Sequence, residues 1–213
     1  YYYRFYQDES KRKEEYFAQN PDGTRYAESQ HKLSLCYSNP DVARQMIADA
    51  RIFFAGKPAT EMENAPWNAQ WVQNRAQGDY FSLLPNDYYG SGCHCPRCLA
   101  LVKQGGPETT DPDLPGEDVL SPGQYSRIMW DHFRTVAEGT IADYPHKYFT
   151  ILAYSQYREI PENMTKLPAN LLVGVTAIPN GNSSDGPAMK RIIGDIREWG
   201  KYTDNGLWLW LYF

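Results

Sequence analysis

Four cysteines are the side chains whose chemistry and spacing are most specific in this sequence. Cys93, Cys95 and Cys98 form a C-x-C-x2-C motif, and Cys36 stands alone earlier in the chain. Four thiolates are the ligand set of a tetrahedral structural zinc site, although paired C-x2-C knuckles are the more usual spacing. Two disulfides are the alternative if the protein is exported. Both interpretations predict that Cys36 lies beside the motif in the fold.

A second group of side chains has the chemistry of a sugar site. Glycoside cleavage needs a proton donor, charge stabilisation and aromatic platforms on which sugar rings stack. The candidates for catalysis are Asp87, Asn86 and Glu159, and the candidates for substrate binding are Tyr88, Tyr154, Tyr157 and Trp210. Because Asn-Asp after a strand is also ordinary turn sequence, a purely structural role for Asn86 and Asp87 is an alternative.

Helices and apolar strands must position these residues. The sequence predicts helices over 38–56, 96–104, 121–145 and 189–202, with Ser38 or Asn39 capping the first. It predicts strands over 78–85, 147–154, 170–178 and 206–213, so that the candidate residues follow or lie within strands. In barrel enzymes the reactive groups gather at the carboxyl ends of the strands.

The predicted fold class is α/β. Strands that are apolar throughout are typical of a mainly parallel sheet with both faces covered. We interpret the fold as a partial (β/α)8 TIM-type barrel with mainly parallel strands and outer helices. An open doubly wound sheet also fits, but no glycine-rich nucleotide loop follows any predicted strand.

Composition excludes some classes of partner. The formal net charge is −5 and the basic residues are scattered, which argues against nucleic acid as a partner. The longest apolar run falls short of the roughly 20 residues that a membrane span needs. Aromatic residues make up 15% of the chain, which suits the stacking of sugar rings but also fits a tyrosine-rich core.

The two ends of the sequence indicate a fragment. It begins without Met and stops inside the apolar run GLWLWLYF. We interpret residues 1–213 as a single incomplete catalytic-barrel region of a longer chain. The remainder of its own polypeptide is then expected to be a partner.

Several motifs resemble a known family. HKLSLCYSNPDVARQMI, PNDYYGSGCHCPRC and the aromatic last strand are similar to the large bacterial family 4838 of domains of unknown function. Part of that family is classed as glycoside hydrolase family 163. The resemblance implies a secreted, periplasmic or surface-exposed barrel related to hexosaminidases. It also implies a carbohydrate substrate, with endo-type release of N-glycans at N-acetylglucosamine and no cofactor for catalysis.

The resemblance assigns roles to individual residues. Asn86 and Asp87 occupy the place of an acidic pair in related barrels, which makes Asp87 the candidate for general acid or for orienting a substrate acetamide. Related barrels have Glu as the second residue of that pair, and an acid where this chain has Leu211. This favours substrate-assisted cleavage, which needs no protein nucleophile. A non-catalytic carbohydrate-binding or structural protein on the same fold is the alternative.

Overall fold

The described part of the chain contains five α-helices, three short 3-10 helices and five strands. The computed structural model describes residues 2–25, 34–72, 76–85, 92–102, 122–154, 157–177 and 186–211. The helices are α1 (Tyr2–Phe5), α2 (Pro40–Phe54), α3 (Pro96–Val102), α4 (Pro122–Ile141) and α5 (Pro187–Trp199). The strands are β1 (Ala76–Gln77), β2 (Tyr80–Ser82), β3 (Tyr148–Ala153), β4 (Leu171–Ala177) and β5 (Leu207–Leu211). The α/β class is therefore confirmed.

The longer helices start where the sequence supplies a proline. α2, α3, α4 and α5 all begin with this residue, whose fixed φ and missing N–H suit the first helical turn. At α2 the Asn39 side chain accepts a hydrogen bond from the Asp41 N–H at 3.0 Å, so Asn39 rather than Ser38 is the cap. Gly56, with φ +70°, follows the end of this helix.

The strands form one sheet in the chain order β1-β2-β3-β4-β5. β2, β3, β4 and β5 run parallel to one another, which confirms the predicted mainly parallel sheet. β1 was not predicted, and it pairs antiparallel with β2 through a turn that contains Gly78 at φ +59°. The prediction of a buried strand over 78–85 was wrong in extent and burial, because only Tyr80–Ser82 pairs as a strand and Tyr80 is 50% exposed.

Helices close one face of the sheet. The side chains that β3 and β4 present to this face include Phe149, Ile151, Val173 and Val175, all of them fully buried. α4 and α5 pack against β4, and α2 packs against α4. Phe54 at the end of α2 contacts Phe149, with ring centroids 5.4 Å apart. The core therefore lies between the sheet and the helical layer.

On the opposite face, β4 and β5 fit together through a glycine and a tryptophan. Gly174 pairs with Trp208 in the parallel register. A Cβ added at Gly174 would lie 2.6 Å from Cζ2 and 2.7 Å from Cδ2 of the Trp208 ring. Because these separations are shorter than van der Waals contact, the indole lies directly on the glycine backbone.

Gly174→Ala should therefore destabilise the protein by about 1–3 kcal/mol, the usual cost of overpacking. Gly194 in α5 is the matched control, since a Cβ there would meet nothing within 4 Å. Gly194→Ala should stabilise by about 0.5–1 kcal/mol, because alanine lowers the entropy of the unfolded chain and favours helix. Urea unfolding of both variants checks this. Equal midpoints for the two would contradict the described packing of β4 on β5.

A buried histidine joins α4 to the segment that precedes α2. His132 is 3% exposed, with Nδ1 3.1 Å from the Tyr37 carbonyl oxygen and Nε2 3.2 Å from the Met46 sulfur. Since a carbonyl oxygen only accepts, Nδ1 carries the proton of the neutral ring. Burial lowers the pKa of His132 from 6.5 to about 4, and the hydrogen bond to Tyr37 offsets this only in part.

This shift predicts a loss of stability in acid. The unfolded histidine takes up its proton first as the pH falls, so stability is full above pH 6.5 and declines towards pH 4. A shift from 6.5 to about 4, at about 1.4 kcal/mol per unit, corresponds to about 3 kcal/mol. Urea unfolding across this range should give a flatter pH profile for His132→Gln than for His146→Gln, whose histidine is exposed in the native chain. Identical profiles for the two variants would contradict the assignment.

Candidate metal centre

Two distant segments bring the four cysteines together. Cys36 follows a short antiparallel bridge between Phe17 and Leu35, and its N–H donates to the Tyr16 carbonyl oxygen at 2.8 Å. Cys93 and Cys95 lie in the loop before α3, and Cys98 lies in the first turn of that helix. Pro96 starts α3 and so fixes the position of its first turn, which contains Cys98.

The four sulfurs form a compact group. The Sγ atom of Cys36 lies 3.6 Å from that of Cys93, 3.8 Å from that of Cys95 and 3.9 Å from that of Cys98. All four Sγ atoms lie within 4.8 Å of one another. Cys36, Cys93 and Cys98 are buried, Cys95 is half-buried, and all four are free thiols. The prediction that Cys36 lies beside the C-x-C-x2-C motif is confirmed.

Hydrogen-bond donors surround the sulfurs. The Gln19 N–H donates to Cys93 Sγ at 3.3 Å, and the Cys98 N–H donates to Cys95 Sγ at 3.5 Å. The Ser38 hydroxyl lies 2.9 Å from Cys98 Sγ. Donors of this kind stabilise thiolates and orient them. From the sequence Ser38 was predicted only as a possible helix cap, and its position two residues after Cys36 was the one signal for this contact.

The thiols change one another's ionisation. Hydrogen bonds from Cys93 and Cys98 lower the pKa of Cys36 to about 2. Hydrogen bonding to Cys36 raises the pKa of Cys93 to about 12, and it raises the pKa of Cys98 far above its ordinary value. Without a metal ion, these hydrogen bonds thus favour a thiolate at Cys36 and neutral thiols at Cys93 and Cys98. Ionising all four at this spacing requires a cation between them, because like charges repel.

The cluster is also tied to its surroundings by backbone contacts. Arg97 donates to the Ser38 carbonyl oxygen at 3.1 Å, and the His94 N–H donates to the Gln19 carbonyl oxygen at 2.8 Å. The His94 ring places Nδ1 3.2 Å from the Gly92 carbonyl oxygen. Among the described residues the group positioned to hold a metal ion consists of the four cysteines, without His94.

The predicted sugar-site residues lie in different surroundings. Asn86, Asp87 and Tyr88 fall outside the described residues. Trp210 on β5 pairs with Thr176 in the register, is 44% exposed, and has its ring centroid 6.3 Å from that of Trp208.

Tyr154, Tyr157 and Glu159 belong to the segment that follows β3. Tyr154 packs partly against the core. Tyr157 is only 3% exposed: its carbonyl oxygen accepts from Trp130 Nε1 at 2.8 Å, and its ring faces Phe133 with centroids 6.0 Å apart. The structure therefore places Tyr157 in the helix-side core, where its ring contributes to packing.

Glu159 lines a surface cavity of about 490 Å³ between this segment and α5. Its carbonyl oxygen accepts from the Ser126 hydroxyl. The Arg158–Asp195 ion pair, with Nε 2.7 Å from Oδ2, lines the same cavity. Trp210 is not among the lining residues, so Glu159 and Trp210 do not share this cavity.

Fold and site together define an α/β protein with a buried four-thiol centre placed to hold a metal ion. The chain belongs to the family described as domain of unknown function DUF4838, whose model matches residues 2–213. No curated protein and no solved structure matches the chain significantly. None of the helices in the described part combines the length and apolar character needed to cross a membrane.

Proposed function

We propose that this chain is the catalytic-barrel region of a secreted or surface-exposed glycoside hydrolase. Its substrates are N-acetylglucosamine-containing glycans, and its reaction is of the endo-β-N-acetylglucosaminidase type. The observation that carries the proposal is a parallel sheet whose strand β2 precedes Asn86 and Asp87 in the sequence, with the C-x-C-x2-C cysteines of the thiol cluster next along the chain. In a barrel the residues just after a strand are the ones that react with substrate. The four cysteines that come next in the chain would hold the loop containing those residues in place.

The strand order supports a barrel. β2, β3, β4 and β5 lie side by side in chain order, parallel throughout, with no reversal among the described strands. An open doubly wound sheet binds its ligand where the strand order reverses, whereas a (β/α)8 barrel adds each parallel strand beside the last. In a barrel the segment that follows β2 lies on the catalytic face.

The sulfur geometry supports Zn²⁺ as a structural ion held by all four cysteines. A tetrahedron of sulfurs about 2.3 Å from a central zinc has edges of about 3.8 Å. The Cys36 separations of 3.6, 3.8 and 3.9 Å match that edge. Two disulfides would instead draw the sulfurs into pairs about 2.05 Å apart. A closed four-sulfur set leaves no open position for substrate, so the ion's contribution is to the fold.

Within this proposal, Asp87 is the general acid or orients the substrate acetamide, and Asn86 assists it. The substrate's own acetamide is the nucleophile, which accounts for Leu211 at a position where an acid was expected. Tyr88, Tyr154 and Trp210 supply stacking surface, and Glu159 is the reserve carboxylate. Trp210 is the candidate with the largest exposed ring among those described.

The direct test is to incubate the full-length protein with an N-glycosylated protein and to analyse the products by mass spectrometry. The proposal expects free glycans and a single N-acetylglucosamine left on the protein. Binding of the glycan without release would contradict the enzyme and support the alternative of a carbohydrate-binding protein on the same fold.

A further inference from the structure

The four thiols are not equivalent in exposure or in contacts. Cys36, Cys93 and Cys98 are buried, whereas Cys95 is half-buried. Cys93 accepts from the Gln19 N–H at 3.3 Å and Cys98 contacts the Ser38 hydroxyl at 2.9 Å, whereas the donor to Cys95 is the Cys98 N–H at the longer distance of 3.5 Å. A reagent from solvent therefore meets Cys95 first: when a zinc ion holds all four sulfurs as thiolates, exposure decides which of them an oxidant reaches.

Cys36 is placed to react with an oxidised Cys95. Its Sγ lies 3.8 Å from that of Cys95, and the two residues come from segments far apart in the chain. A cysteine that is oxidised next to a second thiol passes on to a disulfide instead of to higher oxides. A bond between Cys36 and Cys95 would join the same two segments that a shared metal ion joins.

We propose that Cys95 is an oxidation site and Cys36 its resolving partner. A peroxide then replaces the metal clamp, by which we mean the zinc ion shared by the four cysteines, with a covalent clamp, the Cys36–Cys95 disulfide. This inference rests on the proposed four-thiol zinc site and adds to it which sulfur reacts, with what class of oxidant, and in which pairing. The clamp then ties the N-terminal segment to the loop before α3 in both reducing and oxidising surroundings.

The chemistry balances in two steps. The Cys95 thiolate attacks one oxygen of the peroxide: an S–O bond forms, the O–O bond breaks, sulfur is oxidised to sulfenic acid and hydroxide or alkoxide leaves. The Cys36 thiolate then attacks the Cys95 sulfur, so that the S–S bond forms, the S–O bond breaks and hydroxide leaves. Solvent protons neutralise the leaving groups. Cys93 and Cys98 stay reduced, and two thiolates hold a divalent ion far less tightly than four.

The experiment uses the full-length protein purified under reducing conditions, loaded with Zn²⁺ and treated with limiting hydrogen peroxide. Zinc release is followed with a chromogenic chelator, and sulfenic acid is trapped with dimedone at early times. Tryptic peptides then report the pairing: cleavage after Lys32 and Arg44 isolates Cys36, and cleavage after Arg97 separates Cys98 from Cys93 and Cys95. Fragmentation at His94 distinguishes Cys93 from Cys95.

The expected result is a dimedone adduct on Cys95, a Cys36–Cys95 disulfide, and one zinc ion released per disulfide. Cys36→Ser should accumulate the Cys95 adduct, because the resolving thiol is missing. A first adduct on Cys93 or Cys98, or a first disulfide between those two, would overturn the proposal, as would full retention of zinc after the disulfide forms.

Failure of the zinc site itself is distinguishable from failure of this inference. If the reduced protein takes up no zinc, the proposed metal clamp is wrong, but the same peptide map still reports the order of oxidation. Cys36–Cys95 as the first disulfide would then support the assignment of the reactive pair, and any other first disulfide would overturn it.

Discussion

Replacing Asp87 by asparagine in the full-length protein should lower the rate of glycan release by about 10²- to 10⁴-fold, the usual contribution of a general acid. Asparagine keeps the size and the turn-forming capacity of aspartate but cannot donate the proton or carry the charge. The measurement is turnover of an N-acetylglucosamine-containing glycan at saturating substrate, with circular dichroism to establish that the variant is folded.

Asp79 provides the matched control for this substitution. It lies in the turn before β2, where its Oδ1 is 2.7 Å from Lys147 Nζ on the surface, whereas Asp87 follows β2 in the sequence. Asp79→Asn should leave turnover within about a factor of two, since exposed ion pairs contribute little. If Asp87→Asn retains full turnover in a folded protein, Asp87 is a turn residue and the enzyme hypothesis loses its main support.

Removing the metal should lower the thermal midpoint of unfolding by about 8–16 °C. Ligand linkage contributes about 4 kcal/mol when the free metal is at about 1,000 times its dissociation constant. Each kcal/mol corresponds to about 2–4 °C for a chain of this size. Scanning calorimetry under reducing conditions, with and without a strong chelator, measures the difference.

Cys98→Ser sharpens this test. Cys98 is fully buried and contacts both Cys36 and Ser38, so serine at this position removes a ligand without adding bulk. The variant should have a lowered midpoint that the chelator does not lower further. A native protein whose midpoint responds to reductant, and not to chelator, would instead indicate two disulfides.

The sheet was largely predictable because its strands are continuous apolar runs. β3, β4 and β5 fall inside the predicted ranges, although the expected burial on both faces fails at β5, where Leu209, Trp210 and Leu211 are between 44% and 48% exposed. β1 left no such signal, because two residues have no periodicity and its pairing depends on the Gly78 turn. β2 was predicted too long because only Tyr80, Phe81 and Ser82 pair with β3, and the composition of 78–85 does not show where that pairing stops.

The meeting of the four cysteines was predictable from their residue type and spacing. The residues that contact the sulfurs were not predictable. A C-x-C-x2-C motif restricts which partners its sulfurs can reach, so the approach of Cys36 could be inferred. The contacts of Ser38 and Gln19 depend on how two distant segments meet, which sequence spacing does not encode. The burial of Tyr157 has the same origin, since Trp130 from α4 binds its carbonyl oxygen.

The four-thiol zinc clamp is tested most directly by X-ray absorption spectroscopy at the zinc edge, on the full-length protein purified under reducing conditions without added metal. We predict one zinc ion per chain surrounded by four sulfur atoms at about 2.3 Å, with no nitrogen or oxygen ligand. A protein that contains no metal and no reactive thiols, with its four cysteines paired as two disulfides, would contradict it.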